Sequence, residues 1–323
     1  MNKTTSVSVI IACFERAKEL QRLLSSLKKM RFSGSLEIIV VDDGSKNPAA
    51  IKEAAQNFGC RLIRLDENSG PAEARNIGVK NSNSEFLWFL DSDTEIENPD
   101  LLKNMTKLLK ENKSLAGVGG EAAKINKKTY SASLHPLPNW LPLTKYIESN
   151  KPFEMHPQFI STNNLLISKK DFLAVGGFSS YFDMCEDQDL CLRLAHLGKK
   201  FLVRHDTLAL HHHSPSGRDG GKFWFFDNAW HYVLNMHKSR VKILFWHFPY
   251  LLPILPLLDL FCSPVVLIYQ MFFTKRRSSD LLKKKSKSSL QSFPIFIIFN
   301  SIAMFLAWLT AGKLIIKSFI RKK

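Results

Sequence analysis

Residues 86–93 constrain the fold of this 323-residue chain more than any other stretch: Phe86-Leu87-Trp88-Phe89-Leu90-Asp91-Ser92-Asp93. An unbroken run of large apolar side chains leaves no face for water, so it reads as a strand covered on both sides. The run stops at two carboxylates one residue apart. Along extended backbone, residues i and i+2 point the same way, so Asp91 and Asp93 can converge just past the strand end. Two hard oxygen donors at the carboxyl edge of a buried strand suit a divalent cation that also holds phosphate oxygens. The plainer alternative is a solvated turn in which Asp bonds its own backbone, and an Asp-x-Asp alone does not decide between the two.

The surrounding chain repeats the pattern. Residues 7–14, 36–41 and 61–65 read as further buried strands, with helices over 17–30, 48–58, a stretch from Pro71 through Gly78, and a segment to about 111 capped by Asn98-Pro99-Asp100. In the first helix Leu20, Leu23, Leu24 and Leu27 fall at helical spacing. Alternation of apolar strands with helices predicts an α/β domain: a Rossmann-like, mostly parallel sheet with helices on both faces, binding ligands beyond the strands' carboxyl ends. Phe14, Asp43 and Asp91 to Asp93 fall on that edge. No GxGxxG fingerprint occurs, so a dinucleotide is not expected.

Residues 124–156, with Pro136, Pro138, Pro142 and Pro152, read as a long irregular connection bordering the cleft. Strand character resumes over 159–167, and Gly176-Gly177-Phe178 marks a tight turn. A helix opens on Glu186-Asp187-Gln188-Asp189 and closes at Gly198. Short strands over 201–204 and 207–210 run into His211-His212-His213. Consecutive residues on a strand alternate faces, so these three histidines cannot share one zinc ion.

Formal net charge is +16, and the basic residues crowd around apolar segments beyond residue 240. That placement favours anionic membrane lipids over nucleic acid as partners. The five cysteines form no CxxC pair and read as free thiols of a reducing compartment. The N-terminus lacks a signal-peptide apolar core, so the catalytic part is expected in the cytosol. Residues 243–273 carry one charge, Asp259, and residues 293–312 form a second apolar run of spanning length. Two plain spans would put the basic 275–287 loop outside, against the tendency of Lys and Arg to stay cytoplasmic. The first segment is therefore expected to enter and return or to lie in the interface, and the second to span or lie flat; soluble core helices are the alternative. The expected organisation is a catalytic domain over 1–240, with a nucleotide-binding half (1–123) and an acceptor and catalytic half (124–240). A C-terminal hydrophobic, membrane-associated helical region (241–323) follows.

Taken in order, the opening strand to Phe14, Asp42-Asp43-Gly44-Ser45, Gly70-Pro71-Ala72-Glu73-Ala74-Arg75-Asn76, Asp91-Ser92-Asp93, Gly176-Gly177-Phe178, Glu186-Asp187-Gln188-Asp189-Leu190 and a following His resemble the family 2 inverting glycosyltransferases of the GT-A fold, of the membrane-associated bacterial type. The resemblance covers roughly residues 5–235. It implies a nucleotide-binding set of Ala12, Phe14, Asp42, Asp43, Arg75, Asp91 and Ser92. Phe14 would lie against the base and Asp43 would accept from a ring N–H. Asp42 either touches the nucleotide or only locks its turn. Arg75 meets the diphosphate or is an ordinary exposed helix charge. Asp91 would face ribose or metal, and Asp93 would bind Mg²⁺ or Mn²⁺ bridging the diphosphate, with His211 as a further ligand whose face His213 shares. Asp187 would be the general base, and Glu186 would position the acceptor or the helix end; first-turn acids that merely offset a helix dipole are the plainer reading. Residues 214–221 either close over the diphosphate or simply connect, and the aromatic 223–235 stretch packs in a core or touches acceptor.

The implied activity is transfer from a nucleotide-diphosphate sugar to a hydroxyl of a polyprenyl-linked or envelope glycan acceptor, at the cytoplasmic face of the inner membrane. A nucleotidylyltransferase of similar fold would want a Gly-rich, basic phosphate loop after the first strand, where Ala12-Cys13-Phe14-Glu15-Arg16 supplies little of either. A non-catalytic membrane scaffold would not need Asp93 and Asp187 intact.

Overall fold

The computed structural model describes residues 4–124, 130–134, 145–148, 151–182, 184–213, 238–239 and 241–248. Strands β1 (Ser6–Cys13), β2 (Ser35–Asp42), β3 (Arg61–Arg64) and β4 (Phe86–Asp91) pair in parallel, in the spatial order β4-β1-β2-β3. Their apolar runs are continuous because both faces are covered. Trp88 and Leu90 pack on one side with leucines of α1 (Ala17–Leu27), Ile51 of α2 (Pro48–Asn57), and Leu101, Leu102 and Met105 of α4 (Leu101–Glu111). Leu87 and Phe89 face the other way, onto α3 (Pro71–Lys80), α5 (Lys169–Ala174) and α6 (Glu186–His196). Each such side chain stabilises the fold by about 1.5–3 kcal/mol when fully buried. Asp100 stands at the start of α4, but its carboxylate pairs with Arg31 and makes no side-chain cap.

Beyond β4 the sheet departs from the expected parallel order. β11 (Asn164–Ser168) pairs antiparallel with both β4 and β6 (Leu115–Gly119). β12 (Lys200–Arg204) then pairs parallel with β6, and β10 (Glu154–Met155) antiparallel with β12 at the edge. Being reversed, β11 brings its amino end, with Asn163 and Asn164, to the edge where β1, β2, β4 and β6 have their carboxyl ends. A second sheet, not expected from the sequence, has the order β5-β13-β7-β8-β9. Its strands are β5 (Thr94–Glu95), β13 (Ala209–His211), β7 (Glu121–Lys124), β8 (Tyr130–Leu134) and β9 (Lys145–Glu148). Residues 124–156 are therefore not irregular throughout: β8 and β9 pair antiparallel there, and β10 joins the main sheet.

Asn164 locks the two sheets together. It is fully buried, accepts from the Trp88 indole N–H at 2.9 Å, and donates to the carbonyls of Gly120 (2.7 Å) and Thr207 (2.9 Å). β11 presses so close to β6 here that a Cβ at Gly119 would lie 1.9 Å from the Asn164 carbonyl oxygen.

The chain divides into two compact units, residues 1–223 and 224–323. In the second, residues 238–239 and 241–247 are helical. Among the described residues no helix is long and apolar enough to cross a membrane. The 214–221 loop, the 223–235 aromatic stretch, the apolar run beyond residue 248 and the 293–312 segment lie outside the described residues.

Gly119→Ala is expected to destabilise the fold by about 1–3 kcal/mol, since backbone and not a mobile side chain must yield. Urea unfolding would show a lower midpoint with an unchanged slope.

Candidate active site

Parallel register sets the first part of the site. Cys13 lies opposite Asp42, and Ala12 opposite both Val41 and Asp91, so the ends of β1, β2 and β4 meet. Asp42 is fully enclosed: one oxygen accepts from the Ser45 N–H at 3.1 Å and the other pairs with Arg64. That is the turn-locking arrangement. Gly44 follows with φ +73, and a Cβ there would run into the Glu67 backbone, so the turn demands glycine. Asp43 is also buried. Its two oxygens accept from the amides of Ser69 (2.7 Å) and Gly70 (3.0 Å), fixing the entry to α3. A base N–H at Asp43 would use the lone pairs those amides leave over. Phe14 and Ala12 are half-buried at the same edge, and Ser92 is buried between Asp91 and Asp93.

Arg75 is not the ordinary exposed helix charge that one sequence reading allowed. Its side chain is 3% exposed, and its guanidinium donates to Glu186 at 2.7 Å and to Asp91 at 2.8 Å. A group so held is no exposed helix charge: it ties the end of β4 to the start of α6. Burial acts to lower its pKa, but the Asp91 and Glu186 carboxylates outweigh that and raise it. The next residue completes the junction. Asn76 donates to the Phe178 carbonyl at 2.8 Å and accepts from the Phe178 amide at 3.0 Å, which ties the Gly176-Gly177-Phe178 turn to α3.

α6 begins after Cys185, held at φ +64. Three acids lie in its first turn, and two of them have guanidinium partners: Glu186 takes Arg75, and Asp189 takes Arg193 at 2.6 Å. Asp187 is half-buried and accepts from the Gln188 amide at 2.8 Å. Burial first, and the Glu186 charge second, push its pKa up to about 6, with Arg75 acting the other way. Asp91 also acts on it, so Asp187 stands at the same rim as the β4 acids.

Past β4, Asp93 is 2% exposed. His211 Nε2 lies 3.3 Å from its carboxylate and Arg16 lies 3.4 Å away. The second sheet sets this up, because His211 pairs with Thr94 across β13 and β5. Asp91, Asp93 and His211 offer one donor atom each, all within 4.8 Å of one another. Two carboxylates and one imidazole within that reach form a donor set that fits a divalent cation such as Mn²⁺ or Mg²⁺. Burial lowers the His211 pKa, but Asp93 and Glu121 outweigh it and bring it up to about 10. A cation at Nε2 would displace that proton.

The structure thus gathers Asp91, Asp93, His211, Glu186 and Asp187 on one rim, and sets Ala12, Phe14 and Asp43 on the neighbouring strand ends. Sequence reasoning missed Glu121, whose carboxylate meets His211 Nδ1 at 2.9 Å. It follows Gly119-Gly120 at the end of a strand that was itself not foreseen.

The sequence profile of glycosyl transferase family 2 matches residues 8–181. An uncharacterized glycosyltransferase of Haemophilus influenzae is 28% identical over 200 residues, 58% of this chain and 61% of that protein. A poly-beta-1,6-N-acetyl-D-glucosamine synthase of Staphylococcus epidermidis is 32% identical over 125 residues, 38% of this chain and 30% of that protein. The chain therefore spans less than two-thirds of the length of these curated relatives. The mannosyltransferase PcManGT of Pyrobaculum calidifontis, solved with GDP-Man and Mn²⁺, superposes with a TM-score of 0.55 at 13% identity, covering 97% of this chain and 87% of that one. At that identity the likeness is one of fold.

Arg75→Met would leave Asp91 and Glu186 without their shared cation. A loss of about 3–5 kcal/mol in unfolding free energy is expected, since the partners stay charged and largely enclosed. Arg75→Lys is expected to restore only part of it, because an ammonium cannot fork to two carboxylates.

Proposed function

The chain belongs to glycosyl transferase family 2, and on that premise we propose that it moves a sugar from a nucleoside-diphosphate sugar to an acceptor hydroxyl with inversion at the anomeric carbon. The observation that carries the reading is the division of labour in the first turn of α6. Glu186 and Asp189 are ion-paired with Arg75 and Arg193, whereas Asp187, with burial and the Glu186 charge acting on it, has a pKa pushed up to about 6, close to the Asp91 end of β4. A general base works best when its pKa lies near the working pH and it carries no competing cation partner.

In this reading Asp187 accepts the proton of the acceptor hydroxyl as that oxygen bonds to the anomeric carbon. The bond from carbon to the diphosphate oxygen breaks on the opposite side, so a single displacement inverts the centre. Asp91, Asp93 and His211 would hold a divalent cation, which would supply positive charge beside the departing diphosphate. Asp43 fixes the start of α3 and offers its remaining lone pairs to the base, and Phe14 supplies an apolar surface beside it. Glu186 acts on the reaction only by holding α6 against Arg75, which in turn keeps Asp91 in place.

The proposal extends to location. The apolar segments 243–273 and 293–312 and the basic 275–287 loop support attachment at the cytoplasmic face of the inner membrane. A polyprenyl-linked or envelope glycan acceptor suits that address.

Asp187→Asn is expected to cut kcat by about 100- to 10,000-fold while leaving nucleotide affinity within a few-fold. Asp93→Ala is expected to weaken metal-dependent nucleotide binding. Titration calorimetry with Mn²⁺ and UDP or GDP separates the two, and equal loss of binding in both variants would contradict the roles. For pH, the active form of Asp187 is the carboxylate, so kcat falls as pH drops through about 6. A bound cation would move that midpoint down, never up, and a profile that rises toward acid would exclude Asp187 as the base.

A further inference from the structure

Glu121 lies outside every set of residues the sequence pointed to, yet it meets the one imidazole of the cation site. His211 turns Nε2 toward Asp93, at 3.3 Å, and Nδ1 toward Glu121, at 2.9 Å. Glu121 also accepts from the side-chain amide of Asn163, itself 2% exposed, whose nitrogen lies 3.1 Å from Nδ1 as well; the nearer carboxylate can only accept, which places a proton on Nδ1. The Asn163 backbone is held in turn, its carbonyl accepting from the Thr94 hydroxyl at 3.0 Å. On its other flank the His211 ring packs against the His213 ring, with centroids 4.1 Å apart. Ring, carboxylate and amide thus come from β13, β7 and the turn before β11, three separate elements meeting at one sheet edge.

We infer that Glu121 is a positioning residue: it accepts a hydrogen bond from Nδ1–H of His211, fixes the ring with that proton on Nδ1, and so leaves Nε2 as the nitrogen that binds the cation. The inference rests on the cation site proposed above. The physical reason is that a ligating imidazole can present either nitrogen, and the hydrogen bond made by one decides what the other does. A carboxylate at Nδ1 also makes Nε2 more electron-rich, which strengthens its bond to a cation. Glu121, His211 and His213 do form a second trio of donors within 4.8 Å. The His211 nitrogen nearest Glu121 is Nδ1, at 2.9 Å, and one neutral ring cannot give Nδ1 to one cation and Nε2 to another.

The test uses the full-length protein and Mn²⁺ alone, with affinity followed by the free-ion EPR signal and His ligation by ¹⁴N modulation of the bound ion. Glu121→Ala is expected to weaken Mn²⁺ binding by about 10- to 100-fold and to reduce the ¹⁴N coupling. Glu121→Gln, which can still accept from Nδ1–H, should recover part of both. A Glu121→Ala, His211→Ala double variant should bind Mn²⁺ no more weakly than His211→Ala, because Glu121 acts through the ring. Thermal unfolding of each variant checks that the fold survives, and Glu121→Gln carries the test if Glu121→Ala does not fold. If Asp93→Ala and His211→Ala weaken Mn²⁺ binding but neither Glu121 variant does, the positioning role is wrong and the cation site stands. If the double variant is weaker than His211→Ala, or His213→Ala costs as much as Glu121→Ala, then Glu121 acts as a ligand or a bare charge and the inference fails. If Asp93→Ala and His211→Ala change nothing, the cation site itself falls, and the inference with it.

Discussion

The buried guanidinium of Arg75 is the constraint on which the rest of the site depends. It reaches from α3 to the end of β4 through Asp91 and to the start of α6 through Glu186. Taking three charged groups largely out of water costs several kcal/mol for each, so such a cluster persists only where the geometry satisfies it. Here the fork of the guanidinium meets two carboxylates, and its carbon lies 5.6 Å from the centre of the Phe178 ring. The consequence is positional: the strand end that carries Asp91 and Asp93 and the helix end that carries Asp187 are fastened to one side chain. Asn76 repeats the connection one residue later through the Phe178 backbone.

Backbone strain gathers at the same rim. Among the described residues, the non-glycine positions with positive φ are Glu15, Cys185 and His213. Glu15 lies in the turn between β1 and α1, where its amide donates to the Ser45 hydroxyl at 2.9 Å. Cys185 immediately precedes the acids of α6, and His213 follows the ligand-like His211. Such conformations cost of order 1–3 kcal/mol each and survive only where neighbours over-determine them. Each one stands where an element begins or ends.

Much of this was legible in the sequence, and what was not has physical causes. The runs through Val9, Val40 and Trp88 announce strands covered on both faces, and their acidic ends announce the edge. The strand from Leu115 to Gly119 escaped because glycine weakens a strand pattern, whereas the glycine is needed to let the Asn164 carbonyl approach. The reversal of β11 could not be read, since an apolar strand looks the same in either direction. The Arg75 ion pairs could not be read because helix periodicity sees neighbours three or four residues away, and its partner Glu186 is 111 residues distant. Asp187 was singled out in the sequence by its place in a motif. Its distinction from Glu186 and Asp189, though, comes from which acids acquire an arginine in three dimensions.

The most direct measurement is a crystal structure of the protein with Mn²⁺ and a nucleoside diphosphate, collected at the manganese absorption edge. The anomalous peak is expected within bonding distance of Asp93 and His211 Nε2, against the diphosphate, with the Asp187 carboxylate opening onto the same cleft. A peak between Glu121 and His213, or a diphosphate bound on the far side of the sheet from Asp187, would contradict it.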